Sequence, residues 1–467
     1  MSRNGSEAGA AARRMRDLTT GSVWRHLIEF SWPLFLGNLF QVLYNTVDTY
    51  WVGRFLGTAA LGAVSVSFPV VMVLVAAIAG LTMATTALVA QFRGAGDEVR
   101  VRRTVATSLV MLSLVGLSVM TIGIAWRVPI LNLIRTPAQI LDQAAVYLGI
   151  FLAGLVPMIV YNVFSGVLRG LGDSRTPLIF LVVATVTNII LDPIFIVGLG
   201  PIPAMGVAGA AWATIIAQVL AAGLAFRYVS RYTDLLPKER AEWRPDGGLA
   251  RTLFRVGIPS ALQHTLISSA MLVVTTLVNS FGATVVAAFG AAQRVDQFVF
   301  LPAQSVSLAV TALVGQNLGA GREDRVREVV RNAAILSGCL AATMTLFVWT
   351  EGAALMRIFT DDAAVIAEGM RYLRTVGLGF VPMALMFVAS GTLQGAADTV
   401  PPMIFSLFTL WGVRVPVAWY LAYRAGLGSG GIWWGLTTSF VLGMMCQWTY
   451  YFTGRWRRKV VARRMAT

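Results

Sequence analysis

The chain has 467 residues, of which 57% are hydrophobic and 13% charged, and its formal net charge is +15. Soluble domains carry about 45–50% apolar and about 25% charged residues, so this composition excludes a soluble multidomain enzyme and a disordered chain. An integral membrane protein is the class that remains.

Twelve apolar stretches follow one another between polar breaks. Nearly all of them are long enough to cross a hydrocarbon core about 30 Å thick, which takes roughly 20 helical residues. They lack the period-two alternation of barrel strands. They lie at about 24–52, 58–88, 104–126, 140–168, 177–200, 206–229, 252–280, 284–314, 332–350, 364–394, 402–424 and 431–453. The sequence therefore predicts an all-α integral membrane protein with twelve transmembrane helices.

The basic residues are distributed unevenly among the loops. If the N-terminus is cytoplasmic, the even-numbered loops and both tails carry 28 of the 37 Lys and Arg, and the opposite side carries seven. This bias predicts a multi-pass protein of the cell (inner) membrane with both termini in the cytoplasm. The positive charge then reflects topology and contact with anionic membrane lipids, not nucleic-acid binding.

The chain is an internal duplication with an offset of 225 residues. Residues 86–103 and 311–328 are identical at 12 of 18 positions, and residues 147–178 and 372–403 at 13 of 32. Each half contains six predicted spans, so the halves are parallel repeats. We expect an N-terminal six-helix lobe at 1–230, a cytoplasmic linker at 231–250, and a C-terminal six-helix lobe with a basic tail at 251–467.

Two such lobes predict a cavity at their interface and transport by alternating access. A membrane enzyme would need a catalytic cluster, but the only histidines are His26 and His264, and no HExxH, Walker A or nucleophile-elbow motif stands in a usable context. The sequence therefore predicts a transporter, not an enzyme, with no cofactor.

Acidic residues inside a span are costly and are candidates for function. Three lie deep in predicted helices: Asp48, Asp192 and Asp296. The first helix also places Asn38, Gln41, Asn45 and Asp48 on one face, and the fifth places Asn188 and Asp192 at i and i+4. Apolar residues stand at the equivalent positions of the second half: Ala270 for Asn45, Val273 for Asp48, Phe387 for Asn162, Val413 for Asn188 and Val417 for Asp192.

Because the duplicated half replaces these polar groups by apolar ones, we expect them to serve function and not the fold. Carboxylate and amide oxygens in a low-dielectric lobe suit Na⁺ or shared protons, and burial near a like charge disfavours ionisation of a carboxylate. A Na⁺ site would use Asp48, Asn188 and Asp192. The alternative is a pair of carboxylic acids that hydrogen-bond amides between helices and bind no cation.

Other polar residues have weaker signals. Gln41, His264, Arg294 and Asp296 are candidates for the cavity wall, although His264 also fits a structural polar contact. Arg294 and Asp296 are two residues apart and do not face each other on a helix. Pro33 and Gly37 permit a bend in the first helix, and a static kink is the alternative.

The segments QVLYNTVDTYWVGRFLG, SGVLRGLGDSRTP, TNIILDPIFI, AAQRVDQFVFLPAQ and VGQNLGAG resemble the DinF-like branch of the multidrug and toxin extrusion (MATE) family. The resemblance implies cation-coupled efflux of organic, often cationic, compounds, with H⁺ or Na⁺ as the coupling ion. It implies a cation site of Asp48, Asn188 and Asp192, with Tyr147, Asn162 and Thr214 beside it, and a bend of the first helix at Pro33.

The resemblance leaves alternatives open. The NorM-like branch uses acidic residues in helices seven and ten. Here the apolar surroundings of Ile267 and the segment FVPMALMFVASG supply none, which disfavours a cation site in the second half. A lipid-linked precursor flippase of the same superfamily is the alternative function, and it would show extra helices or a basic central cavity. We expect a monomer, and the sequence does not choose between H⁺ and Na⁺.

Overall fold

The computed structural model describes residues 15–199, 201–237 and 239–466. Four residues that contribute to the predicted cytoplasmic charge, Arg3, Arg13, Arg14 and Lys238, lie outside this part of the chain. The regular secondary structure of the described residues is helical, and they contain no strand.

A helix occupies each of the twelve predicted stretches. Residues 23–94 contain two helices that join at Gly57, whose φ of 78° and ψ of −169° suit glycine alone. These are α1 (23–56) and α2 (Ala60–Gly94). The others are α3 (Glu98–Leu133), α4 (Ala138–Ala153 and Leu155–Gly170), α5 (Arg175–Gly198), α6 (Val207–Tyr232), α7 (Gly247–Asn279), α8 (Ala283–Gly319), α9 (Glu323–Arg357), α10 (Ala363–Gly377 and Phe380–Gly395), α11 (Val400–Arg424) and α12 (Ser429–Phe452).

Not all of these helices are equally apolar. Eight are long and apolar enough to cross a membrane, and ten are if each of the bent helices α4 (44°) and α10 (46°) counts as one span. The other two are α1, which carries a row of amides and Asp48, and α12, which is rich in Trp and Tyr. The 24 residues of α12 extend about 36 Å, which is enough to span a bilayer. The chain is a multi-pass membrane protein.

The chain divides into two compact units. The first contains residues 15–17 and 36–255, and the second contains residues 18–35 and 256–467. The sequence placed residues 18–35 in the N-terminal lobe, and the structure groups them with the second unit. The reason is local: the Leu18 amide donates to Gln316 (3.0 Å), its carbonyl accepts from Asn317 (3.1 Å), and Arg325 donates to the Gly21 carbonyl (3.0 Å).

The duplication is visible in the backbone of each unit. Gly96 in the first unit and its equivalent Gly321 in the second have φ of 73° and 75°. A π-helical turn ends the fifth helix of each repeat, at Ile194–Gly198 in α5 and at Tyr420–Arg424 in α11. One difference stands out: α11 contains a further π-helical stretch, Leu407–Arg414, where α5 is α-helical.

Candidate cation-binding site

Two fully buried polar residues of α5 form the centre of the site. Asn188 and Asp192 are both 0% exposed, and the Asn188 amide donates from Nδ2 to Asp192 Oδ1 (3.0 Å). Their i, i+4 spacing brings the two side chains together on one face of the helix. Because the Asn188 NH₂ group points at the carboxylate, its carbonyl oxygen is held in a fixed direction away from that bond.

Three other helices of the first unit bring polar groups towards this pair. Asp48 of α1 interacts electrostatically with Asp192. Tyr147 of α4 interacts with both carboxylates, as does Tyr44, which lies one turn before Asp48. The Tyr44 hydroxyl also lies near Thr214 of α6, without a hydrogen bond of normal geometry. Four helices therefore converge on one polar centre, which we call the α1/α5 site.

The buried atoms left without a hydrogen-bond partner there are mostly oxygens that can accept. They include Asp48 Oδ1, Asp192 Oδ2 and Asn188 Oδ1, and Gln218 Oε1 lies on α6 one turn from Thr214. An unpartnered buried polar group costs about 1–3 kcal/mol, and more when it is charged. A proton on a carboxylate, or a hard cation that oxygen ligands can coordinate, would offset that cost.

No basic side chain of the described residues forms an ion pair with Asp48 or Asp192. Two carboxylates without a cationic partner cannot both remain ionised at low energy in an apolar environment. The described residues also contain no group of three or more His, Cys, Asp and Glu that would suit a transition metal. The donor set fits a proton or a small hard cation such as Na⁺.

An apolar cluster packs beside the α1/α5 site. Tyr147 belongs to this cluster together with Val52 of α1, Ile196 of the π-helical turn and Ala210 of α6. The turn begins directly after Pro193, next to Asp192. Single π-helical turns inserted in α-helices are frequent at functional sites, because they re-aim the neighbouring side chains.

Some predicted residues stand apart from this centre. Gln41 and Asn45 are exposed, and within the part of the chain that the structure describes the Asn45 side chain forms no hydrogen bond with either carboxylate. Asn162 uses its NH₂ group within α4, where it donates to the Met158 carbonyl (2.8 Å). These three residues stay predictions as members of the site.

The predicted bend of α1 is not visible as a break in the helix. Gly57 is the non-helical residue within Val23–Gly94, so the helix continues through Pro33 and Gly37. The boundary between the two compact units nevertheless falls between these residues, after residue 35. Bending at Pro33 and Gly37 stays a prediction.

The remaining candidates lie in the second unit and do not form a single cluster. Arg294 is exposed and its guanidinium lies over the Phe359 ring (5.4 Å). Asp296 accepts a hydrogen bond from the Tyr372 hydroxyl, and it forms no ion pair with Arg294 among the described residues. His264 is half-buried on α7, where its carbonyl accepts from Ser268 (3.2 Å).

Sequence reasoning missed two features. Tyr44 could have been found, because it precedes Asp48 by four residues and shares its helix face. The second feature is a polar pair in the second unit at positions equivalent to those of the α1/α5 site. Tyr372 is equivalent to Tyr147, and Ser439, which accepts from Arg414 Nε (2.8 Å), is equivalent to Thr214.

Known proteins match this chain over nearly its whole length. The MatE family model matches residues 33–194 and 259–420, once in each half. The probable multidrug resistance protein YpnP of Bacillus subtilis is 33% identical over 447 residues, covering 94% of this chain and 97% of that protein. The probable multidrug resistance protein NorM of Thermotoga maritima is 29% identical over 440 residues, covering 94% of each.

Solved structures agree on the fold. A crystal structure of MATE in the straight conformation is 25% identical, covers 96% of this chain and 98% of its own, and superimposes with a TM-score of 0.86. The double family match and this likeness confirm the predicted all-α architecture of two repeated lobes.

Proposed function

The chain belongs to the MatE family of multidrug and toxin extrusion transporters, and on that premise we propose that it is a cation-coupled antiporter that exports organic, often cationic, compounds. Its family consists of transporters and not enzymes. The names of its relatives, which are multidrug resistance proteins, support drug-like substrates. The coupling ion that we propose is H⁺ or Na⁺, bound at the α1/α5 site.

One observation carries the proposal. The α1/α5 site holds two carboxylates and an amide oxygen with unpartnered acceptor atoms, and no basic residue of the described chain neutralises them. An uncompensated acidic centre inside an apolar bundle is unfavourable unless a proton or cation occupies it. An antiporter requires a centre of this kind, which can bind and release a cation reversibly.

We propose that coupling works through differential affinity. A bound cation changes the balance between two conformations only by as much as its affinity for them differs. Loading from the outside would favour the conformation that releases the organic substrate, and unloading to the cytoplasm would favour the one that captures it. Since α1 carries Asp48 and contains Pro33 and Gly37, bending of α1 is the step we expect to link the site to the substrate.

The branch and the cellular placement are part of the same proposal. Asp48, Asn188 and Asp192 support the DinF-like branch, because that branch has its acidic residues in the first and fifth helices. The uneven distribution of Lys and Arg supports cytoplasmic termini in the cell membrane. We expect the unit of function to be a monomer.

Transport into proteoliposomes tests the coupling ion directly. A fluorescent organic cation would be offered under an inward or outward Na⁺ gradient at equal pH, and separately under a pH gradient without Na⁺. Gradient-driven substrate movement under one of these conditions supports antiport and identifies the ion. Movement that both gradients leave unchanged, with active protein in the membrane, would contradict cation coupling.

A further inference from the structure

The chain turns back on itself after the last membrane-spanning helix. Beyond Phe452, Gly454 adopts a left-handed conformation (φ 67°), and a 3₁₀ turn, Arg455–Lys459, leads into the short helix Val461–Ala466. Trp456 anchors this segment. It is 1% exposed, stacks on Tyr451 (centroids 5.5 Å apart) and donates from Nε1 to the Tyr451 carbonyl (2.8 Å).

This anchored turn forms one wall of a cleft within the second unit. The cleft has a volume of about 450 Å³ and is open to solvent. We call it the arginine cleft, and it is lined by Glu323, Arg457, Arg458, Val460, Arg463 and Arg464. Four arginines thus face one acidic residue.

The single carboxylate cannot neutralise the cleft. Glu323 accepts from Arg463 (3.0 Å) and lies 3.7 Å from Arg457 Nη1. The Nε–H of Arg457 is buried and has no hydrogen-bond partner among the described residues, and its guanidinium lies over the Trp456 ring (5.4 Å). The Arg457 side chain is therefore held in place and still has an N–H group that can donate. The Arg458 side chain forms no ion pair with any described residue.

We propose that the arginine cleft binds the phosphate of an anionic membrane lipid. Guanidinium groups present paired N–H donors that match phosphate oxygens, and several of them held rigidly around one volume favour a dianionic or monoanionic phosphate over a carboxylate. Because the arginine cleft is open to solvent, water screens the attraction between the arginines and the phosphate enough for the lipid to exchange.

Position favours a lipid over a soluble phosphate. The cleft begins within a few residues of the end of α12, and the adjacent Phe452 is 74% exposed, as a side chain in contact with lipid would be. Phosphate groups of a bilayer lie at the ends of its membrane-spanning helices. Basic residues next to a membrane span recognise anionic lipids in this way.

Glu323 has a definite role in this arrangement. Its carboxylate occupies the same donors of Arg457 and Arg463 that a phosphate would use, so it competes with the ligand. Removal of this charge should therefore strengthen lipid binding, whereas removal of either arginine should weaken it. Opposite changes in lipid affinity on substitution of neighbouring residues would distinguish a specific binding site from a general effect of charge or folding.

The test is native mass spectrometry of the purified full-length protein with phosphatidylglycerol, with phosphatidylcholine, and with inorganic phosphate as competitor. We expect Arg457→Gln and Arg463→Gln to weaken phosphatidylglycerol binding by about tenfold each, as loss of a charged hydrogen bond does. Glu323→Gln should strengthen it. Arg424→Gln, which removes an exposed arginine of α11 outside the cleft, is the matched control and should leave it unchanged.

Equal binding of phosphatidylglycerol by the wild type, Arg463→Gln and Glu323→Gln would overturn the proposal. Full displacement of the lipid by millimolar inorganic phosphate would show that the cleft takes a soluble anion instead. Phosphatidylcholine that binds as well as phosphatidylglycerol would show that net lipid charge is not recognised.

Discussion

Equivalent positions in the two units have different polar and charged neighbours. In the first, Tyr147 and Thr214 lie beside two carboxylates and an amide. In the second, the equivalent Tyr372 donates to Asp296, and the equivalent Ser439 accepts from Arg414.

The difference lies in charge balance. The second unit holds one acid, Asp296, and one buried base, Arg414, and Tyr372 interacts with each of them. The α1/α5 site has two acids, and no basic side chain of the described residues forms an ion pair with them. A centre with one acid and one base carries no net formal charge when both are ionised, whereas a buried centre with acids alone is unfavourable without a proton or cation. Among the described residues, the charge balance of the first unit therefore supports the proposal that the ion binds there and not in the second unit.

The helices themselves differ in the same way. α5 is α-helical through Asn188 and Asp192, whose side chains meet at i, i+4. α11 contains the π-helical stretch Leu407–Arg414, which includes Val413, the equivalent of Asn188, and ends three residues before Val417, the equivalent of Asp192. A π-helical stretch shifts the following side chains around the helix. Arg414, at the end of this stretch, is buried in the second unit, whereas Asp192 is the buried charged residue of α5 in the first.

The largest effect should come from Asp192→Asn. The change leaves the Asn188 contact geometrically possible but removes the charge that we propose holds the cation. We therefore expect substrate efflux to fall by at least about a hundredfold, which corresponds to a loss of about 2.7 kcal/mol in interaction free energy. Efflux from cells at matched protein levels measures it. The control is Val417→Ile at the equivalent position of the second unit, which should retain near wild-type efflux.

Asp48→Asn should be nearly as severe, because the two carboxylates share one load. The double variant Asp48→Asn/Asp192→Asn should be no worse than the more severe single variant, since residues of one centre are not additive. A double-mutant cycle on transport rate measures the coupling. Losses that simply multiply would mean that the two acids act in separate sites.

Tyr44→Phe should have an intermediate effect. The hydroxyl sits among both carboxylates and Thr214 without a strong bond of its own, so its loss removes one polar contact, worth about 1 kcal/mol, from the loaded site. We expect the cation concentration for half-maximal transport to rise about fivefold with little change in maximal rate. Tyr50→Phe, an exposed tyrosine of α1, is the control.

Asp296→Asn should affect stability more than coupling. The substitution removes the negative charge from the carboxylate that accepts from Tyr372, the residue that also interacts with the buried base Arg414. We therefore expect a lower thermal unfolding temperature in detergent while cation-driven transport is retained. The double variant Asp296→Asn/Arg414→Gln should recover part of the stability. If Asp296→Asn instead abolished coupling at unchanged stability, the second unit would carry an ion site after all.

The smallest effect should come from Asn45→Ala. The Asn45 side chain is exposed. The hydrogen bond that Asn45 accepts from the Thr49 hydroxyl is made by its backbone carbonyl and would survive the substitution. We expect transport within about twofold of the wild type. A loss comparable to that of Asp48→Asn would place Asn45 among the ligands, as the sequence pattern alone suggested.

Much of this architecture can be predicted from the sequence, because apolar length and a 225-residue repeat are local or linear signals. Asp48, Asn188 and Asp192 stand out for the same reason: acids and amides are rare in apolar spans, and the repeat shows valines in their place. The pairing of Asp296 with Tyr372, and of Arg414 with Ser439, is not readable in this way. It depends on which faces of α8, α10, α11 and α12 meet, and on a π-helical stretch that no local pattern marks.

The grouping of residues 18–35 with the second unit has the same origin. It rests on hydrogen bonds between Leu18 and residues almost 300 positions away. The apolar period of α1 predicts a single helix and carries no information about that contact.

The most direct test is to measure cation binding by the purified protein and by variants in which one unit at a time is disabled. Two quantities would be measured for the wild type, Asp192→Asn and Asp296→Asn. The first is the amount of ²²Na⁺ that the protein retains, and the second is the number of protons released when substrate is added in weak buffer. We predict that the wild type and Asp296→Asn give the same signal for one of the two ions, and that Asp192→Asn gives none. Binding that survives Asp192→Asn but disappears in Asp296→Asn would contradict the assignment of the ion to the first unit.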